Sequence, residues 1–147
     1  MNYKKIVLLV LRLVLGWLLL YAGWQKLTSH PPFTAAGFLT HASTFPGLYK
    51  ALAADGIIKI VNFLNVWGQI AIGVGLITGT YTKWAARAGA LMMILYYFPG
   101  LKFPHITSDT HAFIVDDHII YAAGYLVLDA FHAGKYFSVD SFLRKDL

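Results

Sequence analysis

The 147-residue chain contains no cysteine and no glutamate, and only 13% of its residues are charged. Without a thiol, disulfide exchange, thiolate metal ligation and persulfide carriage by this chain are excluded. All seven acids are aspartates, so every carboxylate sits on a short stem and can be weighed singly. The formal charge is +5, yet no basic cluster is interleaved with exposed aromatics, and the charges fall at the ends of apolar runs. A nucleic-acid partner is therefore not expected. Nor does a small-x-small cleavage site precede the bulky Trp24 and Gln25, which argues against a removable signal peptide. The glycines near residue 75 follow no strand and lead to no Lys-Ser or Lys-Thr, so close helix packing rather than a phosphate-cradling loop is the expected reading.

What fills the chain is apolar: 58% hydrophobic and 16% aromatic residues, with a mean hydropathy of +0.59. Residues 6–27, IVLLVLRLVLGWLLLYAGWQKL, form a run long enough to cross a bilayer core, which takes about 20 helical residues. Arg12 interrupts the run near its basic start at Lys4 and Lys5, and its stem is long enough to snorkel back to the interface. A buried helix of a soluble protein is the alternative. After Pro31-Pro32, residues 28–56 read as a loop region with two short helices, from Thr34 and from Pro46, that cap the bundle as interfacial elements; a soluble loop is the other reading.

A second span covers 57–80 and carries Asn62, Asn65 and Gln69 at i, i+3 and i+7, which places three amides on one face. That face must look into protein, because amides against lipid lose their hydrogen bonds. The glycines of GLITG, residues 75–79, supply a small-xxx-small pair for close helix approach. A third span over 81–98 ends at Pro99-Gly100, and a fourth covers about 117–133. Ser138 is placed to cap a short tail helix. The expected fold is all-α: one integral-membrane four-helix bundle over residues 1–147, with short interfacial helices in its first extracytoplasmic loop.

Four spans put both termini on one side, together with Lys83, Arg87 and Lys135. The positive-inside rule makes that side cytoplasmic, in the plasma membrane of a prokaryote. The stretch 105–118 then lies outside and holds His105, Asp109, His111, Asp116, Asp117 and His118. A divalent metal is one reading of these residues. The spacing matches no metal motif, however, and a solvated loop with Asp116 and Asp117 capping the fourth helix is the other reading.

Three stretches, RLVLGWLLLYAGWQKL (12–27), NVWGQIAIGVGLITGTYTKWAAR (65–87) and FIVDDHIIYAAGYLVLDAFHAGKYFSVDSFL (113–143), make the chain similar to the DoxX/DoxD family of small four-helix membrane proteins. It departs at the finish, where AGKYFSVD replaces a Gly-Arg-x-x-Gly-Leu-Asp-like ending, and at Gln69, where the family often has an acid. The resemblance implies a redox-associated membrane protein. For the DoxD branch it implies a subunit of thiosulfate:quinone oxidoreductase that works with a separate partner subunit.

On their own chemistry, Trp17, Tyr21, Trp24, Gln25 and Lys26 of the first span, with Asn65 and Gln69 of the second, can supply donors and an aromatic slot for a quinone headgroup. The candidate cofactor-binding set is Trp24, Gln25, Lys26, Asn65 and Gln69, at the outer half of the bundle, with His105, His111 and His118 as proton relays. The competing meaning is an interfacial aromatic belt with Lys26 as an anchor. Oxidising a sulfur anion calls for a thiol, flavin or metal, and the chain offers no thiol and no nucleotide motif. Two function classes follow: a quinone-interacting redox subunit dependent on a partner protein, or a non-catalytic scaffold that stabilises a larger membrane complex. Lipid is the expected surrounding in either case.

Overall fold

The computed structural model describes residues 3–101, 114–139 and 141. Among them are helices α1 (Tyr3–Leu27), α2 (Ala36–Thr40), α3 (Pro46–Leu52), α4 (Ile57–Thr78), α5 (Thr82–Gly100) and α6 (Asp117–Ala130), then a 3-10 turn at Ala133–Lys135, and no strand. The fold is all-α.

Glycines bring α1 and α4 together in antiparallel register. A Cβ added to Gly73 would lie 2.6 Å from Leu20 N and 2.7 Å from Gly16 O, and one on Gly23 would meet Ile70 and Gln69. Only a residue without a side chain permits that approach. The α1–α4 contact thus runs through Gly16, Gly23 and Gly73, whereas Gly75 of GLITG admits α5, a Cβ there lying 3.3 Å from Ala85 Cβ. Within that motif, Gly79 sits at φ 78° as the C-cap of α4, against Ser138 and Arg12. The pairing of α5 with α6 is built on Tyr125: its ring fills the notch at Gly89, and its hydroxyl donates to Leu15 O of α1 at 3.1 Å. Around it Leu8, Leu15, Leu19, Leu76 and Met93 form the buried core.

The outward faces are apolar too. On α1, Val7, Val10, Val14, Trp17, Tyr21 and Trp24 recur every three or four residues and are all exposed, and Ile57, Ile60, Leu64, Trp67, Ala71 and Val74 do the same on α4. Only 33% of the most apolar stretch of α1 and 28% of that of α4 is buried in the fold. A helix stable in water would hide such a stripe; lipid makes hiding unnecessary. Both α1 and α4 are long and apolar enough to cross a membrane. Four spans were expected, and two of the described helices meet that standard. The first turns of α5 carry Lys83 and Arg87. The 14 residues of α6 reach about 21 Å, against about 30 Å of hydrocarbon.

Arg12 does not snorkel. It is 1% exposed, and its guanidinium turns inward to donate to three backbone carbonyls beyond α6: Ala133 at 3.2 Å, Tyr136 at 2.9 Å and Phe137 at 2.7 Å. Those carbonyls follow a left-handed reversal at His132 (φ 50°); Ala133 O also accepts from Tyr136 N at 3.3 Å within the 3-10 turn. Ser138 Oγ accepts from Ser141 N at 3.0 Å, the expected capping bond; the tail beyond lies outside the described residues.

The other end is closed by α2 and α3, which bury Ala35, Leu39, Ala42 and Tyr49 against Ile58, Val61 and Phe98. Contrary to expectation α5 continues through Pro99 to Gly100. A proline cannot donate to the carbonyl four residues back, which here is Leu95 O, and Tyr49 Oη donates to it instead at 3.3 Å. Thr44 Oγ1 also donates to Leu101 O. The cap is therefore tied to α5 where α5 ends.

Candidate functional site

The three amides of α4 face protein, each toward a different element. Asn62 Oδ1 accepts from Ala35 N at 2.8 Å, which fixes the start of α2. Asn65 Oδ1 accepts from Lys26 Nζ of α1 at 2.7 Å. Gln69, 2% exposed, donates through Nε2 to Tyr96 Oη of α5 at 3.1 Å. Its Oε1 is buried without a hydrogen-bond partner among the described residues.

Lys26 is the centre of this cluster. Its ammonium lies 4.8 Å from the ring centroid of Phe33 and 5.4 Å from that of Tyr96. Both ring faces are attractive to a cation. Among the described residues no carboxylate pairs with it. The His118 ring stands edge-on to Tyr96 at 6.2 Å, and His118 Nδ1 lies 2.7 Å from Asp116 Oδ2. A cavity of about 290 Å³ opens beside Lys26, with Phe33, Asn62, Phe63, Val66 and Trp67 in its wall. Its size is near the lower end for small-molecule pockets.

Of the residues singled out in the sequence, Lys26, Asn65 and Gln69 belong to this cluster. Trp24 and Gln25 are exposed on the outward face of α1, and Trp17 and Tyr21 stack on each other there at 6.1 Å. Tyr96, Phe33 and Trp67 were missed. Tyr96 sits in the apolar run of α5 with nothing local to separate it from Tyr97, and only the three-dimensional meeting of α1, α4 and α5 selects it.

In the 105–118 stretch, Asp116 is the N-cap of α6, accepting from Ile119 N at 3.2 Å through Oδ1. No group of three or more metal-ligating side chains occurs among the described residues, and His105, Asp109 and His111 lie outside them.

A family model described as DoxX matches residues 7–99, which take in α1 to α4 and nearly all of α5, together with Lys26, Asn65, Gln69 and Tyr96. The ending at 113–143 lies beyond that match. No curated protein and no solved structure matches the chain significantly. With more than half its length matched, and with two helices fit to cross a bilayer whose outward faces are apolar, the chain belongs to the DoxX family of membrane proteins.

Proposed function

We propose that this protein is the quinone-interacting membrane subunit of a redox complex, with both termini on the cytoplasmic side of a prokaryotic plasma membrane and the Lys26 cluster in the outer half of the fold. One observation carries the reading: an ammonium held by an amide and two aromatic faces at the wall of a cavity, paired with no carboxylate among the described residues. Such a network is incomplete. A ligand in the cavity with carbonyl or oxyanion oxygens supplies a further acceptor for Lys26 Nζ. A quinone headgroup offers carbonyls when oxidised and hydroxyls when reduced.

The residues present fit that group. Lys26 donates to one oxygen, Phe33, Phe63 and Trp67 form the flat apolar wall, and Asn65 and Gln69 hold Lys26 and Tyr96 in place. Bound quinone supplies acceptance of two electrons and two protons. Next to Lys26, Tyr96 and the His118–Asp116 pair form a polar path along which a proton could pass to or from the ligand. Electrons come from a partner subunit that carries its own redox group, since this chain has no thiol.

Titrating the detergent-purified protein with a short-chain ubiquinone, followed by quenching of tryptophan fluorescence, tests the site. Removing a charged hydrogen-bond donor costs about 1.5–3 kcal/mol, so Lys26→Met weakens binding by about 10- to 100-fold. Gln69→Leu also weakens it, and Gln25→Ala does not. If Lys26→Met and Gln69→Leu both elute as folded protein and bind as the parent does, the scaffold reading replaces this one.

A further inference from the structure

The end of the molecule opposite the Lys26 cluster holds a second cavity, of about 470 Å³, between the start of α5 and the turn after α6. Lys83 and Lys135 lie in its wall on opposite elements, with His132. The two elements are locked together, because a Cβ on Gly134 would come within 2.8 Å of Thr82. Among the described residues the one acid in the wall, Asp129, is engaged by Arg87 Nε at 2.7 Å. Two lysines therefore face the cavity without an opposing free carboxylate among its lining residues.

Tyr81 and Trp84 stand at the rim of this cavity, and the same two residues begin an apolar groove of about 700 Å³ between α4 and α5. The groove is lined by small and aliphatic residues, including Ala71, Gly75, Ala85 and Ala88. Along α4 from Thr78 to Ala71 it extends about 11 Å, inside the roughly 15 Å that one leaflet of the hydrocarbon core provides. A cationic cavity at the end of a helix pair, an aromatic rim at interface depth, and an apolar channel running one leaflet inward match the parts of a single molecule in the same order.

We propose that this composite site binds one anionic diacyl phospholipid of the leaflet on the N-terminal side, with the phosphate between Lys83 and Lys135 and an acyl chain in the α4–α5 groove. Basic pockets of this kind between membrane helices recognise anionic headgroups. Nothing in the proposal depends on the quinone reading, because the two sites lie at opposite ends and share no residue.

Native mass spectrometry of the detergent-purified protein, titrated separately with dioleoyl phosphatidylglycerol and dioleoyl phosphatidylcholine, tests it. Phosphatidylglycerol should be retained about 30-fold more strongly, from two lysines acting near the surface. The double variant Lys83→Gln, Lys135→Gln loses the preference, and Ala88→Phe, which fills the groove, lowers retention with both lysines in place. A gain provides the control against misfolding: Asp129→Asn releases Arg87 and should tighten phosphatidylglycerol retention. Equal retention of the two lipids, displacement of phosphatidylglycerol by millimolar inorganic phosphate, or a groove occupied by a second copy of the chain with no lipid bound would each overturn the proposal.

Discussion

Tyr49 and Pro99 are distant in the chain and meet at one carbonyl. Pro99 leaves Leu95 O without its helical donor, and the Tyr49 hydroxyl takes the donor's place. Loss of that hydroxyl strands a part-buried acceptor at a cost of about 1 kcal/mol, so Tyr49→Phe lowers thermal stability in detergent. In a Pro99→Ala background the helix supplies its own N–H, and the same substitution should be nearly silent; equal losses in both backgrounds would contradict the arrangement. Burial also pushes the Tyr49 phenol above its ordinary value. As the pH rises past about 10 the unfolded chain loses this proton first, so folding stability is full below that pH and declines above it. Tyr49→Phe removes that part of the alkaline decline. At the residue scale the sequence was informative where a period exposes intent: Asn62, Asn65 and Gln69 are polar positions on one turn-spaced face. It was silent on Phe33 and Tyr96, whose part depends on helices remote in the chain. It misled on Arg12, because snorkelling needs only a long stem, whereas its actual carbonyl acceptors lie more than 120 residues away.

Among the elements, α1 and α4 form the tightest pair, and its closeness depends on backbone meeting backbone at Gly73. Because the nearest obstacles to a Cβ there are Leu20 N and Gly16 O, which cannot swing aside as a flexible side chain does, Gly73→Ala must push the helices apart. Overpacking of this type costs about 1–3 kcal/mol. Thermal unfolding followed by circular dichroism should show that loss, while Gly37→Ala in α2, where a Cβ meets nothing within 4 Å, changes stability little. The sequence offered several glycines in α4 and no means to rank them. GLITG stood out by spacing, but Gly79 serves the end of the helix, because its positive φ is what an αL cap requires. Helix ends were easier to read where punctuation is strong, as with Pro46 opening α3 and Asp116 capping α6. Pro99 misled, since a proline in the last turn removes only one bond and the cap supplies a substitute.

For the whole molecule, charge is divided between the ends. Lys4 stands over the Phe131 ring at 4.4 Å and Lys5 over Tyr136 at 5.3 Å, so the N-terminal lysines gather with Lys135 at the end away from the cap. Under the proposed topology that end faces the cytoplasm. The absence of native cysteine makes any introduced one a unique reporter. In intact cells a membrane-impermeant maleimide should label Asp55→Cys and spare Lys135→Cys until the membrane is opened. The reverse pattern would invert the topology and move the Lys26 cluster to the cytoplasmic half.

Arg12 also carries a consequence for the order of events at birth. The chain emerges N-terminus first, so a charge in the first helix is made long before Ala133, Tyr136 and Phe137, the residues whose carbonyls receive it. Until those last residues leave the ribosome, the guanidinium must stay at the hydrated surface, and α1 cannot settle at its final depth. The first helix is therefore finished only after the segment beyond α6 has been made, and a product cut short before it is marked by an unaccommodated positive charge at the membrane face.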